Sequence, residues 1–370
     1  MKILVINPML YSADTYPVRK VKSIKDCMIY SLCMAYKSLG HEVTLIAAVD
    51  YQPEPVENFE FNIIFMKARL KKVFPISFPF LTQLPFYLIK EGKTFDLIVT
   101  GEVITINSLF PVILCKKNTV VWQELNCHNR KFNEIPSKIW YNTIARLFFK
   151  NILIIPRSET AYHFIRQFCH AVSPIPVDHG VSLEKFTYSE KKEKQFIVVA
   201  QLIKRKNIEY IIRQFSLFIQ KHPNENYRLL IAGRGQEEEY LKNLTKELNI
   251  ESVVYFMGFL NHSDLNKHIS QSIASLIATV RDLNMVSIPE SIVSGTPILS
   301  NTVPALSSYI VKNSLGICKN DWGVEEMELM IEKQQKFIAN CIQKRDDLSS
   351  INSAKKIIDI YIKNENPARK

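Results

Sequence analysis

Two carboxylates eight residues apart, Asp282 and Glu290, bracket a segment whose composition suits an anionic, hydroxyl-rich ligand. An apolar, β-branched run over 273–280 reads as a buried strand, and Ile298-Leu299-Ser300 reads as another. Between them Ser287 and Pro289 suit a helix start and Gly295 its stop. The unit therefore reads strand, loop, short helix, strand, with Asp282 on the loop and Glu290 in the first helical turn. A helix N-terminus offers free N–H groups and partial positive charge to a phosphate. A carboxylate accepts hydrogen bonds from the hydroxyls of a ribose or a sugar. Without its neighbours the same pair is a loop acid and an acid favoured by the helix dipole. Upstream, Lys204, Arg205 and Lys206 form a basic loop ahead of a helix predicted over 208–220. Glu124 and His128 follow a strand predicted over 119–122.

The elements that must carry these residues alternate regularly. In the first half, strands are expected at 2–7, 43–49, 95–100, 119–122 and 152–155. A helix over 24–39 is ended by Gly40-His41, and another is capped by Ser158. In the second half, strands at 196–200, 227–233, 253–256, 273–280 and 298–300 alternate with helices over 208–220 and 237–248. Residues 183–194 are polar and charged, as a linker should be. After Pro304 the chain reads as helical and charged to its end. Residues 357–362 are apolar at helical spacing, and the tail 364–370 is expected to be mobile.

The totals narrow the class of protein. A length of 370 residues suggests two domains, and 47% hydrophobic residues is a globular composition. Net charge is +11, and residues 1–170 carry 21 Lys+Arg against 13 Asp+Glu. That excess suggests an anionic partner, such as an acidic lipid surface or a phosphorylated acceptor; no nucleic-acid-binding motif is present. Seven cysteines, an odd number without a C-x-x-C pair, argue for a reducing compartment and against a disulfide framework or a zinc site. The N-terminus does not read as a signal peptide, and no charge-free run reaches the roughly 20 residues a membrane helix needs. Two stretches are both basic and aromatic. One holds Lys67, Arg69, Lys71 and Lys72 before a Phe-rich run. The other is 135–157, with Trp140, Tyr141, Phe148 and Phe149. Each suits a membrane-interface face, or equally an amphipathic helix on a core. The location expected is cytoplasmic, peripheral on the inner face of a membrane.

Longer motifs join these pieces. Arg281 to Pro297, with its tail Ser294-Gly295-Thr296-Pro297, resembles the Glu-x7-Glu motif of retaining glycosyltransferases of the glycogen-synthase type (family 4, GT-B fold). Val199-Ala200-Gln201-Leu202-Ile203-Lys204-Arg205-Lys206-Asn207 resembles that family's Val-Gly-Arg-Leu-x-x-x-Lys-Gly. Gly233-Arg234-Gly235 and Gly258-Phe259-Leu260 match its Gly-x-Gly and Phe-x-Gly positions, and Pro176 to Phe186 resembles its linker motif. The resemblance implies that Glu290 takes the donor's ribose and Asp282 its sugar. It implies that Lys206 and Gln201 take the diphosphate. Val286, Ser287 and Gly235 complete the donor site, and the backbone at Leu260 holds the base. It also implies that Glu124 or His128 faces the transferred sugar; the spacing leaves both open. At the donor site this chain departs from the pattern at three points. The first acid is Asp, Gln201 stands for Arg, and Leu283-Asn284-Met285 replaces Gly-Phe-Gly.

The resulting expectation is an α/β chain of the GT-B class, two doubly wound Rossmann-like domains facing a cleft. Residues 1–185 form an acceptor-side domain, 186–350 a nucleotide-sugar domain, and 351–370 a helix returning to the first domain. By the resemblance its activity is hexosyl transfer from a nucleotide-diphosphate sugar to a glycan or lipid-linked acceptor hydroxyl, with retention, in cell-surface polysaccharide synthesis. No cofactor and no obligatory metal is expected, and no Asp-x-Asp motif is present. Two alternatives remain. One is a nucleotide-sugar epimerase on the same fold, and the other a degenerate, non-catalytic partner of a glycosyltransferase.

Overall fold

The computed structural model describes residues 1–11, 17–74, 78–129, 131–281 and 285–365. Asp282 and the tail 366–370 lie outside the described residues. The chain divides into two compact units, Met1–Gly180 with Ser350–Lys370, and Val181–Ser349.

The first unit runs β1 (Lys2–Ile6), α1 (Met28–Ser38), β2 (Glu42–Ala48), β3 (Asn62–Met66), β4 (Ala68–Arg69), β5 (Phe80–Leu81) and α2 (Leu84–Glu91). It continues with β6 (Leu97–Gly101), α3 (Ile106–Leu114), β7 (Thr119–Gln123), α4 (Ile135–Trp140), a π-helical stretch Tyr141–Phe149, β8 (Leu153–Pro156) and α5 (Glu159–Ile165). Six of its strands form one sheet in the order β3-β2-β1-β6-β7-β8, all pairs parallel. Parallel strands are covered by helices on both faces, which is why β1 and β6 read as unbroken apolar runs rather than alternating ones. The order reverses between β1 and β6.

The second unit repeats the plan with β9 (Gln195–Val199), α6 (Ile208–Lys221), β10 (Arg228–Ala232), α7 (Glu238–Glu247), β11 (Val254–Gly258), α8 (His262–Gln271) and β12 (Ala274–Ile277). Then come α9 (Ser287–Val293), β13 (Ile298–Ser300), α10 (Ser307–Lys312), β14 (Gly316–Cys318), α11 (Val324–Glu332) and α12 (Gln334–Gln343). Its sheet has the order β11-β10-β9-β12-β13-β14, again all parallel, and reverses between β9 and β12. The last helix, α13 (Ser350–Glu365), belongs to the first unit. It packs on α1 and contributes Ile357, Ile358 and Tyr361 to that unit's core.

The structure adds strands that the sequence reading does not contain, and it shows how residues of the two basic stretches are packed and paired. β3 and β14 were not anticipated, and β14 interrupts what reads as an all-helical end. Three residues are too few to impress a period on the sequence, and β14 exists because β13 offers it a parallel edge. The aromatics of the second basic stretch turn inward. Tyr141, Ala145 and Phe149, four residues apart, are fully buried, and Trp140 donates its indole N–H to the Val103 carbonyl at 2.8 Å. In the first basic stretch, Lys71 pairs with Asp50.

Candidate functional site

In an open, doubly wound sheet the ends of two neighbouring strands diverge where the order reverses, leaving a crevice at their carboxyl ends. In the second unit those strands are β9 and β12. After β9 the chain passes Gln201 and enters a tight turn, Lys204–Lys206, with Gln201 exposed and Lys206 half-buried. That turn is stitched to the chain leaving β12. The Arg205 carbonyl accepts the Val280 N–H at 2.8 Å and the Thr279 hydroxyl at 3.0 Å, and the Arg205 guanidinium donates to the Arg281 carbonyl at 3.3 Å. The basic turn and the segment that leads to α9 are thus one bonded construction at the switch point.

α9 is buried along its whole length, which holds Glu290 in a protein environment with 6% exposure. A carboxylate so desolvated needs polar company, and His262 supplies it. Its Nε2 lies 3.9 Å from Glu290 Oε1, and its ring is held by Phe186 at 5.1 Å. Ser287 is buried at the start of α9, and Val286 before it is half-buried. Leu260 is half-buried beyond the end of β11, next to Phe259, which is 76% exposed.

The loop after β10 lies directly against the loop after β9. Leu202 donates its N–H to Arg234 O at 3.0 Å, and Glu237 donates to Leu202 O at 2.9 Å. A Cβ on Gly235 would stand 2.2 Å from Leu202 O, and one on Gly233 would stand 1.8 Å from Ala200 O. Both glycines are therefore required by backbone packing, whatever else Gly235 does.

In the first unit the reversal falls between β1 and β6, and here the structure exposes a residue that sequence reasoning missed. Glu102, just past β6, adopts a left-handed backbone (φ 66°), a conformation that costs a non-glycine residue about 1 kcal/mol. Its carboxylate accepts the N–H groups of Glu124 at 2.7 Å and Leu125 at 3.2 Å. Burial, and secondly the charge of Glu124, raise its pKa to about 7 against the pull of those N–H groups and of Arg157. The only local signal was an acid after an apolar strand, which many surface loops share.

Glu124 is gripped from the other side by Arg157, whose Nη1 lies 2.5 Å from Glu124 Oε2. The same guanidinium donates from Nε to Asp178 at 3.0 Å and stacks over Trp122 at 4.8 Å. Burial works against the Asp178 carboxylate. The adjacent charges of His179 and then Arg157 overcome that and hold its pKa well below the usual range. His128 sits in different surroundings. Its ring meets Tyr141, Phe164 and Phe168 at 5.2–5.8 Å, Nδ1 bonds Ser137 Oγ at 3.1 Å, and burial lowers its pKa. That aromatic box gives His128 a packing role of its own. Among the described residues no group of three or more His, Cys, Asp or Glu is arranged to hold a metal.

The two doubly wound units make a GT-B fold. Solved structures sharing it over nearly the whole chain include sucrose-phosphate synthase of Thermosynechococcus elongatus (TM-score 0.70, 14% identity, 98% of each chain). Another is Anabaena HepE, solved in complex with UDP (TM-score 0.67, 14% identity, 97% of this chain and 99% of that one). Residues 183–349, essentially the second unit, match the family model described as glycosyl transferases group 1. An uncharacterized glycosyltransferase of Methanocaldococcus jannaschii is 30% identical over 178 residues, 46% of this chain and 45% of that protein. The chain thus spans about half the length of the curated relatives it matches.

Proposed function

We propose that the chain is a hexosyl-transferring glycosyltransferase. It moves a sugar from a nucleoside-diphosphate donor to an acceptor hydroxyl, with retention at the anomeric carbon and no obligatory metal. The observation that supports this reading is the bonding, at the β9–β12 reversal, of the basic turn after β9 to residues 279–281, the chain that leads on to α9 and Glu290. The donor's bond between anomeric carbon and diphosphate breaks while the acceptor oxygen bonds that carbon; negative charge grows on the departing diphosphate, whose oxygen takes the acceptor's hydroxyl proton. In this reading Lys206 neutralises that charge and Gln201 donates amide hydrogens to it. Glu290 accepts the ribose hydroxyls, and the chain at Val286 and Ser287 offers N–H groups to phosphate. Gly235 keeps the loop beside the diphosphate low, the backbone near Leu260 meets the base, and Asp282 takes the donor sugar. Glu124, held by Arg157 and Glu102, faces the transferred sugar from the first unit, with His128 steadying the loop behind it. A neighbour in fold solved with UDP supports a nucleotide as ligand. The acceptor is a growing cell-surface glycan or a lipid-linked acceptor, and a lipid-linked one brings the enzyme to the inner face of a membrane.

Titration calorimetry with UDP and GDP tests the donor site. One nucleotide binds the wild type, and Lys206→Ala and Glu290→Gln each weaken it about 10- to 100-fold, the worth of a lost charge-assisted hydrogen bond. Failure of both nucleoside diphosphates to bind, or wild-type affinity in both variants, overturns the assignment.

A further inference from the structure

The first unit's helices carry a surface that neither its core nor the candidate site uses. α2 leads into β6, α3 joins β6 to β7, and α4 with the π-helical stretch joins β7 to β8. Right-handed crossovers between parallel strands put these helices on one face of the sheet, opposite α1. Accordingly α2 packs on α3 and α3 on the π-helical stretch, while α1 packs on α13. The three lie side by side and run in the same direction, because each feeds a parallel strand.

Their outward sides are not the polar faces expected of surface helices. Phe86 is 73% exposed and Ile89 66% on α2, Ile113 is 51% exposed on α3, and Leu147 is 72% exposed on the π-helical stretch. A single exposed apolar side chain needs no explanation; a row across three adjacent helices does. Exposed cations stand at the C-terminal ends of the same helices: Lys90, then Lys116 and Lys117, then Arg146 and Lys150. The helix dipole favours a cation at each end, and the common direction of the helices gathers those ends along one edge. Residues 67–150 hold 13 Lys+Arg against 5 Asp+Glu, so this segment accounts for most of the chain's net +11.

We propose that this face docks on an anionic phospholipid bilayer, with Phe86, Ile89, Ile113 and Leu147 entering the interface and the cation edge lying against lipid phosphates. Apolar side chains bordered by lysine and arginine are what an interfacial segment needs. A second copy of the chain fits less well, since a self-complementary contact brings the cation edge towards its own image. Nucleic acid would leave the apolar row without a partner. The inference stands without the transferase reading, because it uses no residue of the donor site.

The test is flotation of the full chain with vesicles of phosphatidylcholine mixed with phosphatidylglycerol, and of phosphatidylcholine alone. The protein floats with the anionic vesicles only, and added salt releases it. The double variants Lys116→Glu/Lys117→Glu and Phe86→Ser/Leu147→Ser each bind more than about tenfold more weakly, the first because each cation near such a surface is worth roughly 1 kcal/mol and the second because two apolar side chains no longer leave water. Lys355→Glu, on the exposed side of α13, binds as the wild type. All four altered positions of the double variants are exposed, so melting temperatures stay at the wild-type value, and nucleotide affinity is measured in parallel as a separate readout. No flotation at low salt, wild-type binding by both double variants, or light scattering that shows a dimer dissolved by Phe86→Ser/Leu147→Ser would each overturn the proposal.

Discussion

The carboxylate of Glu102 accepts the backbone N–H of Glu124 at 2.7 Å, so the acid at the end of β6 sets the position of the acid at the end of β7. Its pKa, raised to about 7, makes that relationship pH-dependent. The folded chain holds this proton over a range where the unfolded chain has lost it. The contribution of Glu102 to stability is therefore full below the ordinary carboxylate pKa of about 4.5 and lost as pH rises through about 7. The melting-temperature difference between wild type and Glu102→Gln should move against the wild type from pH 5 to pH 8, both approximate bounds of that window. A difference constant with pH would refute the assignment.

Lys192 gives the opposite sign in the second unit. Its ammonium donates to the Ser270 carbonyl at 2.6 Å and to Thr296 Oγ1 at 3.1 Å, and burial lowers its pKa to about 7. Here the unfolded chain binds the extra proton, so stability from this group rises with pH between about 7 and 10.5. Denaturant titrations at two pH values inside that window should show a gain in the wild type that Lys192→Met lacks. An equal gain in both proteins would mean Lys192 is not the titrating group.

Arg157 ties Glu124, Asp178 and His179 together while itself only 9% exposed. Removing one partner of a buried charge cluster leaves the others uncompensated, at about 3–5 kcal/mol. Arg157→Met should lower the first unit's urea midpoint accordingly, and Arg157→Lys should recover only part of the loss, because an ammonium cannot fork. Full recovery by lysine would show that charge alone matters there.

Gly235→Ala places a methyl group 2.2 Å from Leu202 O, so the loop after β9 must shift away from the loop after β10. Because Gln201 and Lys206 ride on that loop, nucleotide affinity should fall about tenfold or more, with a stability loss of about 1–3 kcal/mol. Gly40→Ala, by contrast, replaces a glycine of positive φ, and its Cβ meets nothing within 4 Å. It should cost only about 1 kcal/mol of strain and leave affinity unchanged. Calorimetry on the two variants separates loop displacement from backbone strain.

Much of the second unit could be read from local patterns. The strands at β9, β10, β11 and β13 and the helices α6 and α7 fall within a few residues of their predicted bounds, because apolar runs and helical spacing record burial directly. Lys206 and Glu290 could be singled out because the segments that hold them resemble motifs of a known family. β14 and Glu102 could not. A three-residue edge strand leaves no period, and the partners of Glu102 lie some twenty residues away, on a loop that only strand pairing brings close.

By itself the sequence determined which segments are buried strands, which are helices, and which loops carry charge, since these follow from residue-by-residue contrasts between apolar and polar. Only the tertiary structure decided that β9 lies beside β12, that Arg157 gathers three polar partners, and that Phe86, Ile113 and Leu147 are exposed on helices packed side by side. Every buried parallel strand presents nearly the same apolar run, so strand order leaves no local trace. It is set by crossover handedness and by which edges pair, both properties of the folded chain as a whole.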